Sequence, residues 1–319
     1  MLPFSVKDLL KNDKRLQRNV TFVSQSGSYL YDLDDERSDF DCFVLAENTM
    51  DDYILDSWDQ YRVNLPDADV KVMSAKQFVS DIHNARFEAL MLLCANREKY
   101  SYCSFNWQYI YNEAASIINK DILFKKAKGF MLDVLICNRK DFLADKIDGS
   151  ELSADALNKR IKTATNLGVY HVMNDTDFNV SVNIRNANLE ECYMELRKVA
   201  NILRDFSNGK SSVKERSKHK GMAYAVLMGL LACYVLSTGN FEFKLKDSDL
   251  AILKDIKAGK YLTEQGVTNT YMEMVYGLIG CLEAAYDNSK LPSVEESKTS
   301  CKKVLHNLLF DAVMKEADL

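Results

Sequence analysis

Two acidic residues with a single residue between them open a short apolar segment of the chain. The segment reads DFDCFVLAE, and within it Asp39 and Asp41 alternate with Phe40 and Cys42. Successive side chains of a β-strand point to opposite faces of the sheet, so a strand here would place both carboxylates on one face. Two adjacent carboxylates repel each other unless a cation lies between them, and all-oxygen ligand sets suit Mg²⁺ or Mn²⁺. The spacing therefore predicts a divalent-cation site.

A Gly-Ser pair precedes these acids and supplies groups that bind phosphate. Gly27 and Ser28 follow the β-rich segment NVTFVSQ, and a short helical pattern comes after them. Backbone N–H groups and a hydroxyl at a strand-to-helix junction form a favourable site for anions. We therefore expect a ligand phosphate to bind beside the two carboxylates. Tyr29 and Tyr31, next to this turn, are either core residues or stack on a base.

A third carboxylate is expected from a neighbouring strand, DADVKVM. Asp69 shares a strand face with Lys71, whereas Val70 and Val72 pack on the opposite face. Asp67 has the same parity as Asp69, but it directly follows a proline and is expected to lie before the strand. We therefore choose Asp69 as the third ligand of the cation.

These motifs together resemble those of the DNA polymerase β-like nucleotidyltransferase superfamily. The shared pattern is a Gly-Ser turn, a Ser-Asp-x-Asp strand, and an Asp-x-Lys strand that leads into a helix, here DVKVMSAKQF. Within the superfamily, the chain is most similar to the minimal predicted nucleotidyltransferases associated with RNA repair. LSTG, after a long apolar helix, and LKDIKAGK extend the resemblance. Three positions depart from it: Asp32 replaces a glycine, and Tyr224 and Leu227 stand where histidine and arginine are usual.

The resemblance implies an enzyme that moves a nucleoside monophosphate from a nucleoside triphosphate (NTP) to an acceptor hydroxyl. Asp39, Asp41 and Asp69 would be its catalytic, metal-binding residues. The implied nucleotide-binding residues are Gly27, Ser28, Ser38, Lys71, Lys218 and Lys220. An RNA 3′ end is the implied acceptor, and a protein or a small molecule would use the same metal site. The alternatives are a protein-nucleotidylating (AMPylating) enzyme or toxin-like regulator, and an inactive nucleotide-binding module.

The segment KSSVKERSKHK, which ends at Lys220, has five basic residues against one acid. It is either a solvated loop before a helix, or a segment whose Lys218 and Lys220 contact phosphate. The second alternative follows from the superfamily, in which a helical domain closes the nucleotide cleft.

The elements around these motifs predict an α+β protein. Strand and helix patterns mix in the first hundred residues, and helical spacing prevails afterwards. We therefore expect a nucleotidyltransferase palm domain with a mixed sheet at 1–110 and a mainly helical domain at 111–319. Within the second part, DALNKRIKTATNLGVYHVMN is predicted to be helical, and SVNIRNANL is either a strand or a loop.

Composition excludes several classes of protein. A net charge of −5 over 319 residues excludes a globally basic nucleic-acid coat protein. Eight cysteines without a CxxC pair and four isolated histidines argue against zinc chemistry and favour free thiols in a reducing cytoplasm. The amino-terminal segment lacks the apolar centre of a secretory signal. The longest apolar run, 222–236, is too short to span a membrane and predicts a buried helix.

Overall fold

The computed structural model describes residues 3–13, 16–17, 19–35, 38, 40–55, 58–138, 169–173, 180–184, 215–263 and 266–317. The chain divides into two compact units. The first contains Met1–Leu135, His219–Thr263 and Val267–Leu319, and the second contains Ile136–Lys218 and Glu264–Gly266. The domain boundary predicted near residue 110 stays a prediction.

A mixed five-stranded sheet lies in the amino-terminal part of the first unit. Its strands are β1 (Val20–Gln25), β2 (Asp41–Ala46), β3 (Gln60–Leu65), β4 (Ala68–Ser74) and β5 (Tyr100–Cys103). They lie in the order β3-β4-β2-β1-β5, in which β2 and β4 are parallel and every other pair is antiparallel. The predicted mixture of a sheet and helices is confirmed. Strands β3 and β5 were not expected, although QYRVNL of β3 alternates polar and apolar residues at every position; β5 has only four residues.

Helices make up most of the remaining described structure. They are α1 (Phe4–Asn12), α2 (Met50–Leu55), α3 (Ala75–His83), α4 (Phe87–Cys94), α5 (Phe105–Ile117), α6 (Lys120–Asn138), α7 (Glu215–Thr238), α8 (Asp247–Lys257), α9 (Asn269–Asp287) and α10 (Val294–Ala317). Several begin at a hydroxyl residue that accepts a hydrogen bond from the first turn: Ser74 before α3, Ser104 before α5 and Thr268 before α9. Such caps satisfy backbone donors that have no partner within the helix.

The sheet separates two hydrophobic clusters. On one face, alternate residues of β2 and β4 pack with residues of α1. On the other face, residues of the opposite parity pack against helices, and Phe22 of β1 stacks on Trp107 of α5 with ring centroids 3.7 Å apart. Val70 and Val72 belong to the first cluster. The prediction that they pack away from the face of Asp69 is therefore confirmed.

Helix α7 contains the longest apolar run and is largely buried. Among the described residues, Lys218–Thr238 is the one helical segment long and apolar enough to cross a membrane, and 61% of its most apolar window is buried inside the protein. The core helix of a soluble protein passes the same test of length and composition. The prediction of a buried helix is confirmed.

The second unit contains an antiparallel pair of strands, β6 (Val169–Met173) and β7 (Val180–Ile184). The helix predicted across DALNKRIKTATNLGVYHVMN is therefore wrong at β6, where β-branched and aromatic residues favour a strand. The rest of that predicted helix lies outside the described residues. Of the two alternatives for SVNIRNANL, the strand is confirmed as far as Ile184. Two further short strands among the described residues are β8 (Leu262–Thr263), in the first unit, and β9 (Gly266–Val267).

Candidate functional site

Two of the three predicted carboxylates lie side by side at the same edge of the sheet. Asp41 and Asp69 are direct register partners at the beginnings of the parallel strands β2 and β4. Each lies two or four residues before a side chain of the same strand face, Phe43 or Met73, and both of these belong to the hydrophobic cluster on the α5 side of the sheet. The two acids therefore lie on the face of the sheet that packs against α5. Asp39 lies outside the described residues.

The surroundings of Asp69 differ between its two oxygens. Oδ2 lies 3.0 Å from Nη1 of Arg62 on β3. Oδ1 is buried and has no hydrogen-bond partner among the described residues. A buried acceptor without a partner is costly, so this oxygen is suited to a cation or a donor that binds at the site. Asp67 lies before β4, as predicted, and accepts a hydrogen bond from Ser5 of α1 instead.

The Gly-Ser turn packs directly on Asp41. Gly27 has φ +62°, and a Cβ atom there would lie 2.0 Å from Oδ2 of Asp41. The Ser26 N–H donates to the carbonyl of Asp41 at 2.9 Å. Only glycine fits this close approach and this backbone conformation, so the Gly27–Ser28 turn and the Asp41 carboxylate are held together.

A short 3₁₀ helix, Gly27–Tyr31, follows the turn and ends in a left-handed residue. That residue is Asp32, with φ 54° and ψ 33°. Aspartate tolerates this conformation better than most residues, so Asp32 takes the backbone geometry that glycine would adopt at the same position. Its carboxylate forms an ion pair with Lys99. The departure from the superfamily pattern is thus compatible with the turn.

Two tyrosines of this turn have different environments. Tyr31 is buried, and its hydroxyl donates to the carbonyl of Met91 at 2.9 Å, so it is a core residue. Tyr29 packs against Phe40, with ring centroids 5.3 Å apart, and its hydroxyl donates to the carbonyl of Ser38 at 3.3 Å.

The acidic loop before β2 is held by contacts that sequence reasoning did not foresee. The Ser38 hydroxyl accepts a hydrogen bond from the N–H of Asp35 at 3.0 Å. Lys257, at the end of α8, lies 3.3 Å from Oδ2 of Asp35 and donates to the carbonyl of Leu33. Its side chain is only 11% exposed. The segment LKDIKAGK, which contains Lys257, extends the resemblance described above. The partner of Lys257 depends on the tertiary fold and could not be predicted from it.

Lys71 lies on the same strand face as Asp69 and forms an ion pair with Glu88 of α4. Its side chain is 16% exposed. The pairing of Lys71 with Glu88 was not expected from the sequence, because helix α3 separates the two residues along the chain. This ion pair directs the Lys71 side chain toward α4.

Helix α7 contains Tyr224, which packs on Phe87 of α4, and Lys220, one turn earlier. The Tyr224 ring lies 5.7 Å from the ring of Phe87, and Nζ of Lys220 lies 5.5 Å from the centre of the Tyr224 ring. Burial, and next the negative charge of Asp41, raises the pKa of Tyr224. Leu227, the other departure from the superfamily pattern on this helix, is a fully buried core residue. Lys218 belongs to the second unit.

The donor set fits a divalent cation. Asp41 and Asp69 are carboxylates that would provide oxygen ligands, and the unpartnered Oδ1 of Asp69 is a buried acceptor at that position. Within the described residues, no three His, Cys, Asp or Glu side chains gather into a metal-binding group. Asp39, the third predicted ligand, lies outside those residues.

In comparisons with known proteins, no family model matches the chain, and no curated protein matches it significantly. Function is therefore inferred from the chemistry of the site.

Proposed function

We propose that the chain is a metal-dependent nucleotidyltransferase of the DNA polymerase β type, with its five-stranded sheet as the palm. The observation that supports this function most is the register pairing of Asp41 with Asp69 beneath the Gly27 turn. It joins two carboxylates and a phosphate-binding turn at one edge of a sheet. The helices of the carboxyl-terminal part would cover the nucleotide, and the location would be cytoplasmic.

The proposed reaction is an in-line displacement at the α-phosphorus of an NTP. The acceptor hydroxyl oxygen bonds to that phosphorus, and the bond to pyrophosphate breaks. Mg²⁺ or Mn²⁺, held by Asp39, Asp41 and Asp69, would neutralise the charge of the triphosphate. Backbone N–H groups at Gly27 and Ser28 orient the β- and γ-phosphates. Asp69 accepts the proton of the acceptor hydroxyl.

The pair between Arg62 and Asp69 does not prevent this role. The Arg62 side chain is 63% exposed, so the pair is worth only about 0–1 kcal/mol. Arg62 engages only Oδ2 of Asp69, and the buried Oδ1 has no partner among the described residues. Lys71, whose charge is close to the same face, would help to neutralise the phosphates, and Ser38 would hold the loop that precedes β2.

The acceptor in this proposal is an RNA 3′ end. This choice comes from the resemblance described above, since a protein or small-molecule hydroxyl would use the same metal site. The acceptor is therefore an outcome of the experiment.

The test is transfer of label from each of the four NTPs, radioactive at the α-phosphate, with Mg²⁺ or Mn²⁺ and a pool of total RNA and protein. We expect label in RNA with the wild-type chain and none with Asp41→Asn. Label in protein would identify an AMPylating enzyme. If the wild-type chain transfers label to nothing while it binds NTP, it is an inactive nucleotide-binding module and the proposal is wrong.

A further inference from the structure

Tyr224 has a buried hydroxyl for which the protein itself provides no partner. The atom is inaccessible to solvent and has no hydrogen-bond partner among the described residues. The ring is held by Phe87 on one side and approached by the Lys220 ammonium group. Buried hydroxyl groups almost always have a partner, and one without a partner lowers stability. A ligand atom that reached this hydroxyl would supply the missing partner and offset the cost.

The position and chemistry of the Tyr224 hydroxyl indicate what kind of ligand atom would be its partner. The Tyr224 ring packs on Phe87, whose neighbour Glu88 pairs with Lys71 on the strand face of Asp69. A phenol is protonated at neutral pH and donates a hydrogen bond, so its partner is an acceptor. The positive charge of Lys220 favours an anionic acceptor. A phosphate oxygen beside the Gly27 turn meets all of these conditions.

We propose that Tyr224 binds the phosphate chain of a nucleoside triphosphate by donating a hydrogen bond from Oη, with Lys220 supplying positive charge over its ring. The inference rests on the proposed function for the identity of the ligand. It assigns a hydrogen bond with the nucleotide to Tyr224 of α7, at a position where the superfamily pattern has histidine.

The test uses Tyr224→Phe, which removes one oxygen and keeps the ring between Phe87 and Lys220. The matched control is Tyr271→Phe, because the buried Tyr271 hydroxyl donates to the carbonyl of Met222, on the same helix, at 2.9 Å. Each full-length protein is titrated with the four α,β-methylene NTP analogues and Mg²⁺, and its thermal unfolding is followed with and without analogue. These analogues bind without undergoing transfer.

We expect Tyr224→Phe to bind the preferred analogue about tenfold more weakly, as for a lost hydrogen bond to a charged group. Without analogue it should melt at the wild-type temperature or above, because the removed oxygen had no partner. Tyr271→Phe should keep the wild-type Kd and melt about 2–4 °C lower, since it loses a satisfied hydrogen bond. Lys220→Gln should also raise the Kd and flatten its dependence on salt.

Two results would overturn the inference. One is an unchanged Kd in Tyr224→Phe, and the other is weaker binding together with a lower melting temperature of the free protein, which marks a structural role. A wild-type chain that binds none of the analogues overturns both this inference and the proposed function. Analogue binding with the expected Tyr224 effect, but without label transfer from natural NTPs, overturns the transferase activity alone.

Discussion

At the scale of single residues, Asp69 and Asp67 would share one face of a strand by their spacing, but their surroundings differ. Asp69 pairs in register with Asp41 and keeps one buried oxygen without a partner. Asp67 lies before the strand and bonds to Ser5. The two residues therefore provide a matched pair of substitutions, since each tests the same chemical change two positions apart.

We expect Asp69→Asn to reduce nucleotidyl transfer by at least about a hundredfold, because an amide neither neutralises the cation nor accepts the acceptor's proton. The fold should remain, since the exposed pair with Arg62 contributes little. Transfer rates and thermal unfolding measure the two effects, and Asp67→Asn should behave as wild type. An active Asp69→Asn with an inactive Asp67→Asn would place the third ligand two residues earlier.

Gly27 is the residue at which backbone conformation and the candidate site meet. Gly27→Ala puts a Cβ 2.0 Å from the Asp41 carboxylate at φ +62°. We expect unfolding by urea to show a loss of about 1–3 kcal/mol, together with weaker binding of Mg²⁺ and NTP. The control is Gly129→Ala in α6, where a Cβ meets nothing within 4 Å. This second variant should gain about 0.5–1 kcal/mol, and a loss similar to that of Gly27→Ala would refute the steric explanation.

At the scale of secondary-structure elements, α8 contacts the loop that precedes β2. Lys257 contacts Asp35 and the carbonyl of Leu33, more than two hundred residues away in the sequence. Because the lysine is nearly buried, its hydrogen bonds form away from most of the solvent. The helix thereby helps to fix the position of this loop.

We expect Lys257→Ala to lower the free energy of unfolding by about 1–2 kcal/mol, since it removes charge-assisted hydrogen bonds from a largely buried position. Amide exchange at residues 31–35 should become faster. Lys260→Ala is the control, because Lys260 is 63% exposed in its pair with Asp255 and should cost only about 0–1 kcal/mol. Equal losses in the two variants would show that α8 does not hold the loop.

At the scale of the whole molecule, the first unit joins the sheet to helices from the far end of the chain. Residues 1–135 and 219–319, apart from 264–266, form this unit, so α7 returns to the sheet after a long intervening segment. The buried position of α7 explains its apolar composition. A core helix that packs against neighbours on most sides needs few polar residues.

This burial predicts how the full-length chain behaves after cell lysis. We expect the protein to stay in the supernatant after ultracentrifugation without detergent, because the apolar face of α7 is covered by the fold. Substitution of Leu231, a fully buried residue of α7, by Asp should reduce the yield of folded protein sharply. Recovery of the wild-type chain only in detergent extracts of the membrane fraction would contradict the prediction.

Local sequence determined the main strands and the faces of their side chains. The alternation in DFDCFVLAE and DADVKVM predicts β2 and β4, and it places Asp69 opposite Val70 and Val72 because strand geometry has a period of two. The apolar run of α7 similarly predicts burial. These properties depend on neighbouring residues, which the sequence shows directly.

Only the tertiary structure decided which elements meet. The register of Asp41 with Asp69 depends on hydrogen bonds between two strands, and β3 and β5 are stabilised by the strands beside them. Tyr224 and Lys257 approach the amino-terminal sheet from distant parts of the chain. Periodicity specifies the face on which a side chain lies, but its neighbour on that face depends on how distant segments pack.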